Sequence, residues 1–171
     1  MNETIHAGDG TARERILERL RRNRPVATPE PTVYQKPLDW DRDKRVDSFI
    51  ERMQAVRGEV HRLSSGDWVD WIRTELPRRG LSRLLLGQGD IGDAVAAISG
   101  YATGIRRYDR PIVDWKVALF HDIDVAVTGA RAGLAESGSL VLIPDTNEPR
   151  LMSLVPPVNV AVLKTDRLYE N

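Results

Sequence analysis

The stretch whose reading decides the fold is Asp124-Val-Ala-Val-Thr-Gly-Ala-Arg-Ala-Gly-Leu-Ala-Glu-Ser-Gly-Ser-Leu-Val-Leu-Ile143. Two apolar runs, 124–128 and 140–143, flank a loop of small residues. The loop holds Gly129, Gly133 and Gly138, hydroxyls at Thr128 and Ser137, one cation at Arg131 and one anion at Glu136. Short apolar runs bounded by glycine predict buried strands. A loop that brings polar groups to the ends of buried strands is where α/β proteins place ligands. The stretch therefore predicts an α/β fold with its functional centre at this loop.

Downstream, residues 144–149 form a turn-rich segment, and residues 150–157 lead into a predicted buried strand over 158–163. Upstream, a strand is expected over 81–86, followed by Gly87-Gln-Gly-Asp-Ile-Gly92 and a helical stretch to residue 98. That is a G-x-G-x-x-G pattern between strand and helix, with a further strand at 105–108 ending at Asp109, the place of a ribose-binding acid. The next strand is short and basic, Ile-Arg-Arg-Tyr, so a tight turn is the favoured reading over a dinucleotide site. Arg106, Arg107 and Arg110 form a local basic cluster. Residues 114–121 predict a short amphipathic helix, with His121 and Asp122 at its end in a cap or surface role.

The longest predicted helix spans 43–63. Val46, Phe49, Ile50, Met53, Val56, Val60 and Leu63 recur at three- and four-residue intervals and make one core face. Residues 64–67 cap a second helix over 68–76, which Pro77 and Gly80 end, with Trp68 and Trp71 as packing residues. Residues 1–10 are polar and expected to be disordered. Thr11-Ala-Arg-Glu14 has the spacing of a capping box, so a basic helix is expected over 12–22 with Ile16, Leu17 and Leu20 as its apolar stripe. Its five arginines read as a solvated face. Pro25, Pro29, Pro31 and Pro37 make residues 24–38 an extended linker or arm. The expected division is an N-terminal helix and arm over 1–42 and an α/β domain over 43–171.

The 171 residues carry 25 basic and 25 acidic side chains, which leaves no net electrostatic footprint for nucleic acid or an anionic membrane. There is no cysteine, which removes disulfides, thiol nucleophiles and thiolate-held iron–sulfur clusters from this chain. His6, His61 and His121 are scattered without metal-ligand spacing. No apolar run approaches the roughly 20 residues of a membrane span, and the N-terminus lacks the apolar core of a signal peptide. These features point to a cytoplasmic protein.

Residues 124–128, 134–142, Arg150 and Ser153-Leu-Val-Pro-Pro157 together resemble the LUD-domain family, of the lactate utilization protein C type. The resemblance covers most of the chain and is most specific over 122–163. It implies a Rossmann-like sheet of the NagB/ribose-phosphate-isomerase/CoA-transferase-like type. It also implies a part in the oxidation of L-lactate to pyruvate, alongside iron–sulfur oxidoreductase partner subunits. The absence of cysteine agrees with a subunit that carries no cluster. Two departures stand out. Asn159 occupies a position where the family commonly has histidine. The family's later Gly-Pro-Ser and Gly-x-His-Gly-Pro segments are absent, so the chain is expected to be C-terminally truncated, to expose apolar surface and to favour self-association.

Several side chains are candidates for ligand binding: Thr128, Gly129, Ala130, Glu136, Ser137, Gly138, Arg150 and Ser153. Backbone N–H groups near Gly129 and Gly133 suit an anion cradle. Thr128, Ser137 and Ser139 offer hydroxyl donors, and Arg150 offers a bidentate clamp for a carboxylate such as lactate. Glu136 is the candidate base or, by analogy with the Glu-x-Gly of CoA-transferases, nucleophile. The alternative is a glutamate that merely pairs with Arg131 or Arg150. Three function classes follow: an accessory subunit of a lactate-oxidising complex, an enzyme acting on a small carboxylate or CoA-type substrate, and a ligand-sensing domain.

Overall fold

The computed structural model describes residues 11–23, 38–97 and 104–171. The readings of residues 1–10, of the arm over 24–37 and of residue 98 lie outside them. The chain divides into two compact units, Met1–Gln35 and Lys36–Asn171.

In the first unit, helix α1 (Ala12–Arg22) opens with the expected capping box. The Thr11 N–H donates to the Glu14 carboxylate at 2.7 Å and the Glu14 N–H donates to Thr11 Oγ1 at 3.4 Å. None of its residues is buried. Ile16 and Leu20 are 59% and 63% exposed, so the apolar stripe has no covering partner among the described residues.

The second unit is a mixed α/β fold. Its main sheet is parallel and holds β1 (Leu84–Leu86), β2 (Ile105–Arg107), β3 (Val125–Gly129) and β6 (Val158–Val162) in the order β2-β1-β3-β6. Because β-strand side chains alternate, β1 and β3 feed two cores. On one face Leu84, Leu86, Val125 and Val127 pack with Ile72 and Leu76 of α3 (Asp67–Arg78) and Val95 of α4 (Asp90–Ala96). On the other face Leu85 and Ala126 pack with Trp115, with Leu119 of α5 (Lys116–His121) and with Met152 of α6 (Leu151–Leu154). Leu84, Leu85 and Leu86 are wholly inaccessible, each contributing about 2 kcal/mol of burial. Helices on both sides of a parallel sheet give the expected Rossmann-like α/β class.

Three expected elements differ. Helix α2 (Arg42–Ala55) stops eight residues before the predicted end at Leu63. Arg57 takes a left-handed φ of 66°, and the N–H groups of Val56 and Gly58 both donate to the Met53 carbonyl, closing the helix. Val56 is consequently 74% exposed despite its helical spacing. Helix α3 continues through Pro77 for one residue, and a Gly80 with φ of 76° then turns the chain. The third difference concerns residues 129–143, which do not form a simple loop between two core strands.

Those residues, together with Leu168 and Tyr169, build a small second sheet, β5-β4-β7, from β4 (Ala132–Leu134), β5 (Ser139–Val141) and β7 (Leu168–Tyr169). β4 pairs antiparallel with β5 and parallel with β7. The predicted buried strand at 140–143 is thus a half-buried hairpin arm, and Ile143 is 62% exposed. α2 covers this sheet through Val46 and Phe49, which pack with Ala135 and Leu168. Ser48 Oγ donates to the Ala135 carbonyl at 3.1 Å. Asp41 caps α2 by accepting from the Lys44 N–H, and the Glu170 carboxylate accepts from the N–H groups of Leu38 and Trp40 at 3.1 and 2.8 Å. Among the described residues no helix is long and apolar enough to cross a membrane.

Candidate functional site

The chain leaves β1 through α4 on one face of the sheet and returns to β3 through α5 on the other. β1 and β3 are hydrogen-bonded neighbours, so their C-terminal ends bound the crevice where the strand order reverses. Open α/β sheets bind ligands at such a point.

Glycines line the β1 side of the crevice. A Cβ at Gly92 would collide with the Gly87 carbonyl oxygen, and one at Gly87 would lie 2.6 Å from the Asn147 carbonyl oxygen. The glycine pattern here therefore serves close backbone approach within the chain. Arg107 of β2 bonds the Gly87 carbonyl and the Asp93 carboxylate of α4, the latter at 2.7 Å. The Asp109 carboxylate pairs with Arg110 at 3.0 Å.

Across the crevice lies the loop 145–148. Asp145 Oδ1 accepts from the N–H groups of Asn147 and Glu148 at 2.7 and 2.8 Å, which curls the loop into an Asx-type turn. The loop is fastened to both strands. The Gln88 N–H, just past β1, donates to the Asn147 carbonyl at 3.0 Å. The Gly129 N–H, at the end of β3, donates to Glu148 Oε2 at 2.8 Å. Glu148 is half-buried, and burial pushes its carboxyl above the usual glutamate range. The Gly129 N–H works against that rise and the Asp145 charge adds to it. Glu148 is the one carboxyl among the described residues with a resolved upward shift. A half-buried acid with a raised pKa in a cleft is a candidate functional residue.

The structure divides the sequence-derived candidates between two places. Thr128, Gly129 and Ala130 lie at the crevice end of β3. Thr128 is buried, and its hydroxyl donates to Asn159 Oδ1 of β6 at 3.1 Å, so that proton is already engaged. The Ala130 N–H donates to the Val162 carbonyl. Arg150 and Ser153 follow the 145–148 loop into α6. The Ser153 hydroxyl donates to the Arg150 carbonyl at 3.2 Å, and the Arg150 side chain is exposed.

Glu136, Ser137 and Gly138 belong instead to the β4–β5 turn of the second sheet. Glu136 is exposed, and its N–H donates to the Glu170 carbonyl. Among the described residues it forms no ion pair with Arg131 or Arg150. Ser137 Oγ donates to Ser139 Oγ at 2.9 Å. Gly138 has a φ of 66°, and a Cβ there would strike Arg52 of α2, so this glycine makes a hairpin turn against a helix. The arrangement leaves the Gly129 N–H, not the 129–133 loop as a whole, as the amide that holds an anion.

Glu148 and Asn147 were absent from the sequence-derived site. They sit in a turn-rich segment without periodicity. The local signal available was Asp145 followed two and three residues later by the amides it binds.

The family model described as LUD domain matches residues 46–171. An uncharacterized protein of Neisseria meningitidis serogroup B is 30% identical over 168 residues, covering 93% of this chain and 71% of its own length. No solved structure matches the chain.

Proposed function

The chain belongs to the LUD domain family, and from that premise we propose that it serves lactate utilization as a subunit without an iron–sulfur cluster. In this reading it assists iron–sulfur partner proteins in the oxidation of L-lactate to pyruvate. The family's association with lactate utilization supports the pathway. In that division of labour the partners supply the cluster thiolates, since this sequence has no cysteine. Converting L-lactate to pyruvate releases two electrons and two protons, and the electrons pass to the partners' clusters.

The ligand in this reading is a small carboxylate held in the crevice between the ends of β1 and β3. One observation carries it: the Gly129 N–H at that point already binds a carboxylate, that of Glu148. A backbone amide at the end of a buried strand is fixed in direction, so it selects an acceptor by position without rearrangement. Gly129 has no side chain to stand in front of it, and Ile91 of α4 forms an apolar wall beside it.

The test is L-lactate-dependent reduction of an electron acceptor by the partner subunits, with and without this protein. Reduction is expected to depend on its presence. Equal rates without it would remove the lactate assignment.

A further inference from the structure

We infer that a carboxylate ligand enters the crevice by exchange with the side chain of Glu148, taking over the Gly129 N–H as the 145–148 loop releases it. The inference rests on the reading that the crevice binds a small carboxylate, and it adds how the site is kept filled and how it opens.

The argument begins with the number of bonds. A carboxylate has about four acceptor positions. Asp124, at the other end of β3, uses them fully, accepting from the Ser82 N–H, the Arg83 N–H, and Arg83 Nε and Nη2. Among the described residues Glu148 accepts one, from Gly129. Among the described residues it forms no ion pair. The charged groups on the elements around it are Asp145 of its own loop, Asp90 and Asp93 of α4, Arg107 of β2 and Arg150 at the start of α6. Arg107 is committed to the Gly87 carbonyl and Asp93, and Arg150 makes no ion pair among the described residues. Glu148 therefore gives up water for a single backbone donor. The loss of hydration opposes that bond.

The loop is suited to release. Its Asx-type turn is internal to residues 145–148, so the loop keeps its shape when it leaves. Beyond Glu148 itself, the Gln88 N–H to Asn147 carbonyl bond is its hydrogen bond to the β1 turn. A free carboxylate presents the same acceptor to Gly129, and the Gln88 N–H exchanges the Asn147 carbonyl for water. Glu148 meanwhile returns to water. The exchange conserves the hydrogen bond and relieves the burial of a tethered charge.

Glu148→Ala removes the tethered acceptor and leaves a space the size of acetate over the Gly129 N–H. The experiment uses the full chain, wild type and E148A, with acetate and L-lactate as probes and chloride at matched ionic strength as control. Melting temperature and the 15N-glycine amide resonance of Gly129 are followed against concentration. E148A is expected to respond to both carboxylates at about tenfold lower concentration than wild type, with the Gly129 resonance moving as it does. In wild type, L-lactate is expected to shift the same resonance and to speed hydrogen exchange at the Gln88 N–H, whose bond to the Asn147 carbonyl is given up when the loop leaves. That second measurement decides the matter even if E148A does not fold. If L-lactate binds wild type but the Gly129 resonance stays still, or E148A and wild type respond alike, the exchange is overturned and the carboxylate reading stands. If neither carboxylate acts on either folded protein, both fall.

Discussion

Strand β3 ends in a carboxylate contact on both sides, and the two are held in opposite ways. At its N-terminal end Asp124 is clamped by Arg83, whose guanidinium holds the carboxyl below its usual range, with help from the Arg83 and Ser82 backbone amides. At its C-terminal end Glu148 meets one amide, and burial holds its carboxyl above the usual range. The difference separates a carboxylate that fastens the fold from one that, in the proposed function, holds the place of a ligand. In an open parallel sheet the C-terminal edge is the one free to specialise, because the crossovers leave the crevice there.

Substitutions at three positions test that contrast, beginning with the largest effect. Gly92→Ala drives a methyl group into the Gly87 carbonyl and the Arg107 guanidinium, disturbing the whole C-terminal edge. It is expected to cost about 3 kcal/mol in denaturant unfolding. A cost near zero would mean that the β1–α4 turn is loose and the crevice undefined. Asp124→Ala leaves the Ser82 and Arg83 amides without this acceptor and is expected to cost about 2 kcal/mol in the same measurement. If it costs no more than Glu148→Ala, the contrast between the two ends disappears.

The smallest effect is the most diagnostic, because the pH dependences run in opposite directions. Asp124 has a depressed pKa in the folded protein. Its contribution is present above the unfolded aspartate value and is lost as pH falls through the folded one. Glu148 has a raised pKa. Its contribution is complete below the unfolded glutamate value and is lost as pH rises through the folded one. Thermal melts should therefore show wild type losing its advantage over Asp124→Asn as pH drops. They should show Glu148→Gln gaining on wild type as pH rises, by a few degrees at most. Parallel pH profiles for the two variants would break the comparison.

Much of the fold was readable in the sequence. β3 was placed within one residue of its true bounds, since an apolar run ending in glycine has few other uses. The α1 capping box followed from two side chains three residues apart. The end of α2 was not readable by periodicity, because Val60 and Leu63 continued the helical spacing past a backbone reversal at Arg57, a residue that rarely takes a left-handed φ. Gly58, next in the chain, was the available hint. The second sheet was missed for a related reason. Ala132–Leu134 and Ser139–Val141 are three residues each, and β4 gains its other neighbour from β7, more than 30 residues later in the chain.

The candidate residues were read along one run of sequence, and the fold divides them between two sheets. The glycine that ends β3 drew attention to the C-terminal edge of the main sheet. Glu136 drew attention because it lay in the same run of sequence, yet the hairpin carries it to the second sheet. Glu148 reaches Gly129 because a turn docks across two strand ends, and such a contact leaves no mark in local spacing.

The Glu170 carboxylate grips the N–H groups of Leu38 and Trp40, so the start and the finish of the α/β unit meet at one clasp. The backbone carbonyl of Glu170 also holds the Glu136 N–H, so a pull between residues 38 and 170 would be shared between the clasp and the edge of the second sheet.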